Sequence, residues 1–386
     1  MAKQNQHKAR SLACIRAVSS LLLLAGCRRE APPGVGGAGS DGNWPGFHGA
    51  GGLTGESSAA LAEKPVRRWS FKTQGAVSAS PAILAKRVFV ASEDGNVYAI
   101  GLEDGSLLWQ QSLSNAVKAT PLALNNHVFA GTSDGTLVAL EVGSGRRVWT
   151  AKTGGEIAGG ANFIPRDGTA PLIVVGSYDH TLYAFDAETG SNVWRASSDN
   201  YINGTPAVAG GRVAFGGCDG RVRVVASATG VEITNFVAGA YVPGSPTIAG
   251  DAMIAGQYGG AVVCWSLLAG AERWRSILPG AVYSSPAVSG ARVFAGARDS
   301  GVHALRLTDG VSLWRFGARD NVDSSPVVAG GRVWVGSDDG RLYGLAEETG
   351  CETWSFNAGA PIRSSPAVAG EWIVVGDDTG VVHGFR

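Results

Sequence analysis

The chain has no excess of charge: 32 Lys and Arg stand against 32 Asp and Glu. That excludes both the broad basic field that gathers nucleic acid and an acidic tail. Apolar spacing near 3.6 residues is missing, which excludes a solenoid of helix pairs. The six histidines show no zinc spacing, and the five cysteines include no vicinal pair. The apolar stretch AVSSLLLLAG at 17–26 is too short to cross a bilayer as a mature helix.

What is abundant is glycine (57) and tryptophan (11), a combination that suits tight turns between short aromatic-bearing strands. A Ser/Thr-Pro pair keeps a regular beat at Pro81, Pro121, Pro206, Pro246, Pro286, Pro326 and Pro366. The interval is 40 residues except for the 85 between Pro121 and Pro206, which hides a copy centred on Ala161 and a five-residue insertion near IPRDGTAP. There are therefore eight copies. Tryptophan keeps the same beat at Trp69, Trp109, Trp149, Trp194, Trp274, Trp314 and Trp354, with Thr234 in the one slot that lacks it.

Each copy reads as four short strands; in the seventh these are SSPVVA, RVWVGS, RLYGLA and CETWSF, separated by AGG, DDG and EETG turns. Four antiparallel strands per 40-odd residues predict an all-β fold, an eight-bladed β-propeller over 65–386. The last copy supplies only three strands, whereas the Trp69 strand, RRWSFKT, precedes the first Ser-Pro and has no blade of its own. It is expected to pair with 366–386 and close the ring, removing open sheet edges. The Trp column is expected to be structural, each ring wedged beside the Gly of an adjoining turn. His303 and His383 fall in the slot of Tyr98, Tyr183 and Tyr343, as aromatic substitutes.

The first 27 residues read as an export signal: Lys3, Lys8, Arg10 and Arg16, the apolar core, then Leu24-Ala25-Gly26-Cys27, which resembles a bacterial lipobox with Cys27 as the lipidated residue. Residues 28–43 read as a Pro/Gly-rich flexible linker, and 44–64 as a prelude to the propeller. Arg28 stands where an Asp would resemble the inner-membrane retention signal, so an outer-membrane lipoprotein facing the periplasm is expected.

The segment AFDAETGSNVW at 184–194 resembles the A-x-D-x-x-T-G-x-x-x-W motif of pyrroloquinoline quinone (PQQ) dehydrogenase propellers, and ALEVGSGRRVW, AIGLEDGSLLW and GLAEETGCETW are degenerate versions. The resemblance covers about 65–386 and implies the eight-bladed PQQ-like fold, which serves both enzymes and scaffolds. In length, blade count and anchoring the chain is similar to the propeller lipoproteins of the outer-membrane β-barrel assembly machinery, while NWPGFHGAGGLTG at 43–55 resembles a prelude on other bacterial PQQ-like repeat proteins. For the enzymes the resemblance implies PQQ bound against two adjacent cysteines beside calcium. Cys218, Cys264 and Cys351 are isolated, and no calcium-binding set or catalytic Asp falls on a matching motif. The expectation is thus a non-enzymatic envelope scaffold with no cofactor and no catalytic residue, binding protein partners of outer-membrane assembly. The alternative is a PQQ-binding protein or quinone-dependent dehydrogenase. A Cys218–Cys264 disulfide is open to an oxidising compartment.

Comparing the repeats with one another locates a site. Four residues before each Pro register, Val77, Val117, Ile157, Ile202, Val242, Val282, Val322 and Ile362 are all β-branched, as a buried position should be. The next column is Ser78, Lys118, Ala158, Asn203, Pro243, Tyr283, Asp323 and Arg363, and its diversity points to solvent. Lys118, Asn203, Tyr283, Asp323 and Arg363 are expected at the rim of the axial channel, with Glu156 and Tyr201 close by, as a funnel for a ligand or a partner's loop. The bland reading is a solvated channel mouth with an Arg363–Asp323 salt bridge. The turns SDDG and GDDTG add four carboxylates, either ordinary turn chemistry or a weak calcium site.

Overall fold

The computed structural model describes residues 42–386; Cys27, the export signal and nearly all of the linker lie outside the described residues. Eight sheets of four antiparallel strands follow the Ser/Thr-Pro beat. In the seventh blade the strands are Val327–Ala329, Arg332–Gly336, Arg341–Ala346 and Glu352–Asn357. The sequence reading began the inner strand too early, since Ser324, Ser325 and Pro326 precede it as irregular chain. A proline has no N–H to give a ladder, so the strand starts after it. The eighth sheet takes its outermost strand, Arg67–Lys72, from the other end of the chain, where it pairs with Val381–Phe385. Val66 and Arg386 exchange both main-chain hydrogen bonds beside that strand, at 3.0 and 3.1 Å.

Each outer strand carries a register shift one residue before the Trp position, including the blade with Thr234. Such a bulge re-aims the following side chain. Here the indole lands on the next blade: Trp109 donates its Nε1–H to the Val142 carbonyl at 2.9 Å, Trp274 to Leu307 at 2.8 Å, and the others do likewise. A Cβ on Gly145 would lie 2.6 Å from the Trp109 ring, and Gly145 also has φ +70°, so glycine is required there twice over. Trp354 has no such turn to meet, because the turn is replaced by the pairing of Val66 with Arg386; it donates to Pro65 instead, at 3.1 Å. At the Thr234 slot, Trp265 of the next blade is buried against Phe236, with ring centroids 5.7 Å apart.

The β-branched column is fully buried. Seven of its eight side chains occupy the space beside a glycine at the end of the second strand of the preceding blade, Ala91 taking that place before Val117: a Cβ on Gly256 would lie 2.3 Å from Val282, and one on Gly176 2.3 Å from Ile202. The slot containing Tyr98, Tyr183 and Tyr343 also holds His303, His383 and Arg223. Each is paired with an Asp of its own blade's second turn: Tyr98 with Asp94 at 2.8 Å, His303 with Asp299 at 3.1 Å and His383 with Asp377 at 3.0 Å.

The prelude forms a belt around the axis. Trp44 exchanges hydrogen bonds with Ile83 of blade 1, and Pro45 accepts from Ala123 of blade 2, all at 2.7 Å. The carbonyls of Gly51, Gly52, Thr54 and Gly55 then accept, at 2.8 Å each, from Val208, Ile248, Val288 and Val328 of blades 4 to 7. Blade 3 joins through its side chain, Asn162 bonding both the N–H and the carbonyl of Gly51. Glu56–Ser57 ends the circuit as a parallel strand on blade 7. Buried main-chain N–H groups need acceptors, and the belt supplies them to the axial edges of the inner strands. The close approach needs glycine, since a Cβ on Gly52 would lie 2.5 Å from the Ile248 carbonyl oxygen.

Candidate functional site

The belt shuts one end of the axial channel, and Phe47 forms the floor of what remains, a funnel of ≈ 180 Å³ open at the other end. The predicted variable column converges here. Ser78, Lys118, Ala158, Asn203, Pro243, Tyr283, Asp323 and Arg363 all line the funnel. They lie on the irregular chain that leads into each inner strand, each directly after a buried β-branched residue.

Their partners differ from the expected ones. Arg363 does not pair with Asp323. It bonds Asp338 at 3.0 Å and Asp378 at 2.6 Å, while Asp323 takes a two-pronged contact from Arg298 at 2.9 and 2.7 Å. The reason is reach: Arg298, in a second turn, extends to Asp323, while Arg363 is met by the second-turn carboxylates Asp338 and Asp378, all on the same rim. These carboxylates hold both guanidinium groups firmly in the charged form. Asn203 donates its amide to the Cys218 sulfur at 3.1 Å, and Ser78 donates to Glu93 at 2.9 Å. Lys118 is exposed and has no hydrogen-bond or ionic partner among the described residues.

The SDDG and GDDTG carboxylates are divided among different partners. Asp338 and Asp378 hold Arg363, Asp339 accepts from Tyr343, and Asp377 accepts from His383 and Thr379. Among the described residues no group of three or more His, Cys, Asp and Glu is disposed to hold a metal ion. Cys218 and Cys264 are both free, so the disulfide left open above is absent; burial pushes the Cys264 thiol up to about 11.

Below the mouth runs a crown of hydroxyls that sequence reasoning missed. It is formed by the residue before each proline, plus Gly160 in the third blade. The main-chain N–H of one blade donates to the hydroxyl of the next: Ser80 to Thr120, Thr205 to Ser245, Ser245 to Ser285, Ser285 to Ser325, Ser325 to Ser365 and Ser365 to Ser80, at 2.8–3.1 Å. The seven side chains are more than nine-tenths buried and line the funnel. The signal was present as the unbroken Ser/Thr before every repeat proline.

The rim is also lopsided. Of the eight tyrosines, the five outside the buried column form one arc across blades 3 to 6. Tyr178 stacks on Tyr201 at 4.8 Å, Tyr241 stacks on Tyr258 at 4.5 Å, and Tyr241 shares a 2.8 Å hydroxyl contact with Tyr283. Tyr201 and Tyr258 are 45% and 48% exposed, with their outer faces free for a partner. Burial, and then the Tyr283 hydroxyl, hold the Tyr241 phenol well above its ordinary value, so this ring is uncharged at neutral pH. Arg298 lies over the Tyr283 ring, 3.7 Å from its centroid, at one end of this arc, and the Arg363 ion pairs follow beyond it on blades 7 and 8.

No curated protein matches the sequence. Among solved structures, BamB from Moraxella catarrhalis is 21% identical with a TM-score of 0.72, covering 83% of this chain and 97% of its own. The quinohemoprotein alcohol dehydrogenase of Comamonas testosteroni is 12% identical with a TM-score of 0.77, covering 91% and 81%. The computationally designed protein Ika8 is 18% identical with a TM-score of 0.73, covering 85% and 99%. At these identities the likeness is one of fold, shared by an assembly factor, an enzyme and a designed protein. A family model matches residues 59–170, 165–238, 218–321 and 298–386, nearly the whole described chain, and the protein thereby belongs to the PQQ_2 family, that of the outer membrane protein assembly factor BamB.

Proposed function

We propose that this propeller is a non-enzymatic, lipid-anchored scaffold of the bacterial cell envelope that docks protein partners in outer-membrane protein assembly. The observation that carries the reading is the tyrosine arc. Tyrosine gives large contact area at low entropic cost and is enriched in interface cores. Here the rings are already stacked on a closed ring of blades, so docking requires little reordering.

The belt adds an orientation. Asn43, where the linker joins the propeller, bonds Ala85 on the closed face. A lipid on Cys27 would thus tether the closed face and leave the tyrosine arc free. The enzyme alternative calls for PQQ against a vicinal cysteine pair with calcium beside it. Cys218, Cys264 and Cys351 lie apart, and no cluster disposed to hold an ion stands among the described residues, so the residues present do not fit that group.

The test is site-specific photocrosslinking in cells. A benzophenone side chain at Tyr201 or Tyr258 is expected to trap outer-membrane assembly proteins, while one at Leu268, which is 81% exposed and lies on a closed-face turn, is not. Equal adducts from both faces, or none from the arc, would remove the reading. Changing Cys27→Ser is expected to release the chain from membranes into the periplasm; continued membrane attachment would remove the anchor.

A further inference from the structure

The hydroxyl crown has a surplus of donors. Six of its oxygens already accept a main-chain N–H, and none of the seven hydroxyls donates to any acceptor among the described residues. A hydroxyl has one proton to give, and a buried one without an acceptor carries a desolvation cost. Since the crown lines the funnel, the acceptors must come from whatever occupies the axis. Above the crown, the two guanidinium groups are neutralised by their own carboxylates, and Asp323 is taken by Arg298. Lys118 is the funnel-lining charge left without a partner among the described residues.

We infer that the funnel is a binding site for a small oxyanion, a phosphate or carboxylate group, whose oxygens accept from the crown while Lys118 supplies the countercharge. Ring-wide hydroxyl donation suits an acceptor-rich group of no fixed orientation. Phe47 limits its depth. The wider rim does not attract anions: Lys118, Arg298 and Arg363 face Glu93, Glu156, Asp323, Asp338 and Asp378, three against five. Affinity must therefore arise at short range, in the roughly millimolar regime, and free oxyanions or the anionic end of a larger molecule present the same chemistry.

The experiment is a titration of the full-length protein with inorganic phosphate, read by 31P line broadening, with chloride at matched ionic strength and neutral myo-inositol as controls. Glycerol 3-phosphate forms a second arm; tighter binding there than for phosphate identifies a group carried on a larger molecule. Saturable phosphate binding is expected. Lys118→Met is expected to weaken it about tenfold, the scale of one hydrogen bond to a charged group, with an unchanged melting temperature. Ser285→Ala with Ser325→Ala should abolish it, and Ser285→Thr with Ser325→Thr should restore it, which separates the lost hydroxyls from a damaged ring. Arg273→Met, on the outer strand of blade 5, should have no effect. Absence of saturation, equal binding of inositol, or indifference to Lys118→Met would each overturn the assignment.

Discussion

Ser365 donates its main-chain N–H to the hydroxyl of Ser80 at 3.0 Å across 285 residues of chain, and so joins the last blade to the first at the axis. The contact is the same one that links blades 4 to 8 in sequence. The seam of the ring is therefore built like its other joints on the inside and differently on the outside, where Val66 and Arg386 replace a Gly turn.

Ser80→Ala leaves the Ser365 N–H buried without its acceptor. The expected loss is about 1–3 kcal/mol, read as a lower urea midpoint with an unchanged slope. Ser80→Thr retains the oxygen and should lie near the parent protein.

Trp274→Ala removes a buried indole together with its 2.8 Å bond to the Leu307 carbonyl. The cost should be about 3–5 kcal/mol. Shortening Thr234 to Ala, in the slot that has no indole, should cost far less, because Trp265 and Phe236 already fill that seam. Chemical denaturation of the two variants under one set of conditions makes the comparison.

His48 is 2% exposed and stacked on Phe47, its Nδ1 lies 3.2 Å from the Leu53 carbonyl oxygen, and its Nε2 has no hydrogen-bond partner among the described residues. Burial lowers its pKa to about 4 from the ordinary 6.5. Between those values the unfolded chain binds a proton that the folded one refuses, so stability falls as pH drops through this window. The total is about 3 kcal/mol. A urea midpoint series from pH 7 to 4 should show this slope, and His48→Phe should flatten it.

Removing residues 43–58 strips acceptors from the inner strands of six blades and takes away the funnel floor. The melting temperature should fall by more than for any single substitution above, and a small neutral quencher should reach axial probes from both faces. Equal protection from the closed face would show that the belt does not seal it.

The repeat made the architecture legible because each blade must bury the same positions: Val282 and Ile362 are β-branched for the same reason, that each fills the place beside a preceding glycine. The funnel lining was legible as the one variable column next to an invariant one. The belt was not, since it works through main-chain carbonyls and needs no side-chain pattern. Its only trace is Asn162 and Thr247, fully buried polar residues at an otherwise apolar inner-strand position; each also bonds the next blade, at Pro206 and Pro286. The tyrosine arc was hidden because Tyr178, Tyr201 and Tyr283 belong to three different columns. The partners of Arg363 were missed because alignment by column shows which blade is adjacent but not how far a turn carboxylate reaches.

A protein made of eight nearly interchangeable units faces a hazard that globular folds do not: loss or gain of one unit by slippage between similar stretches of its gene. A blade ring alone has little to register such an error. The belt does, because its carbonyls at 51, 52, 54 and 55 meet successive blades in fixed order, like notches on a gauge. A ring of seven or nine would meet that gauge out of step, with bare donors at the axis, so the segment that closes the channel also sets the count.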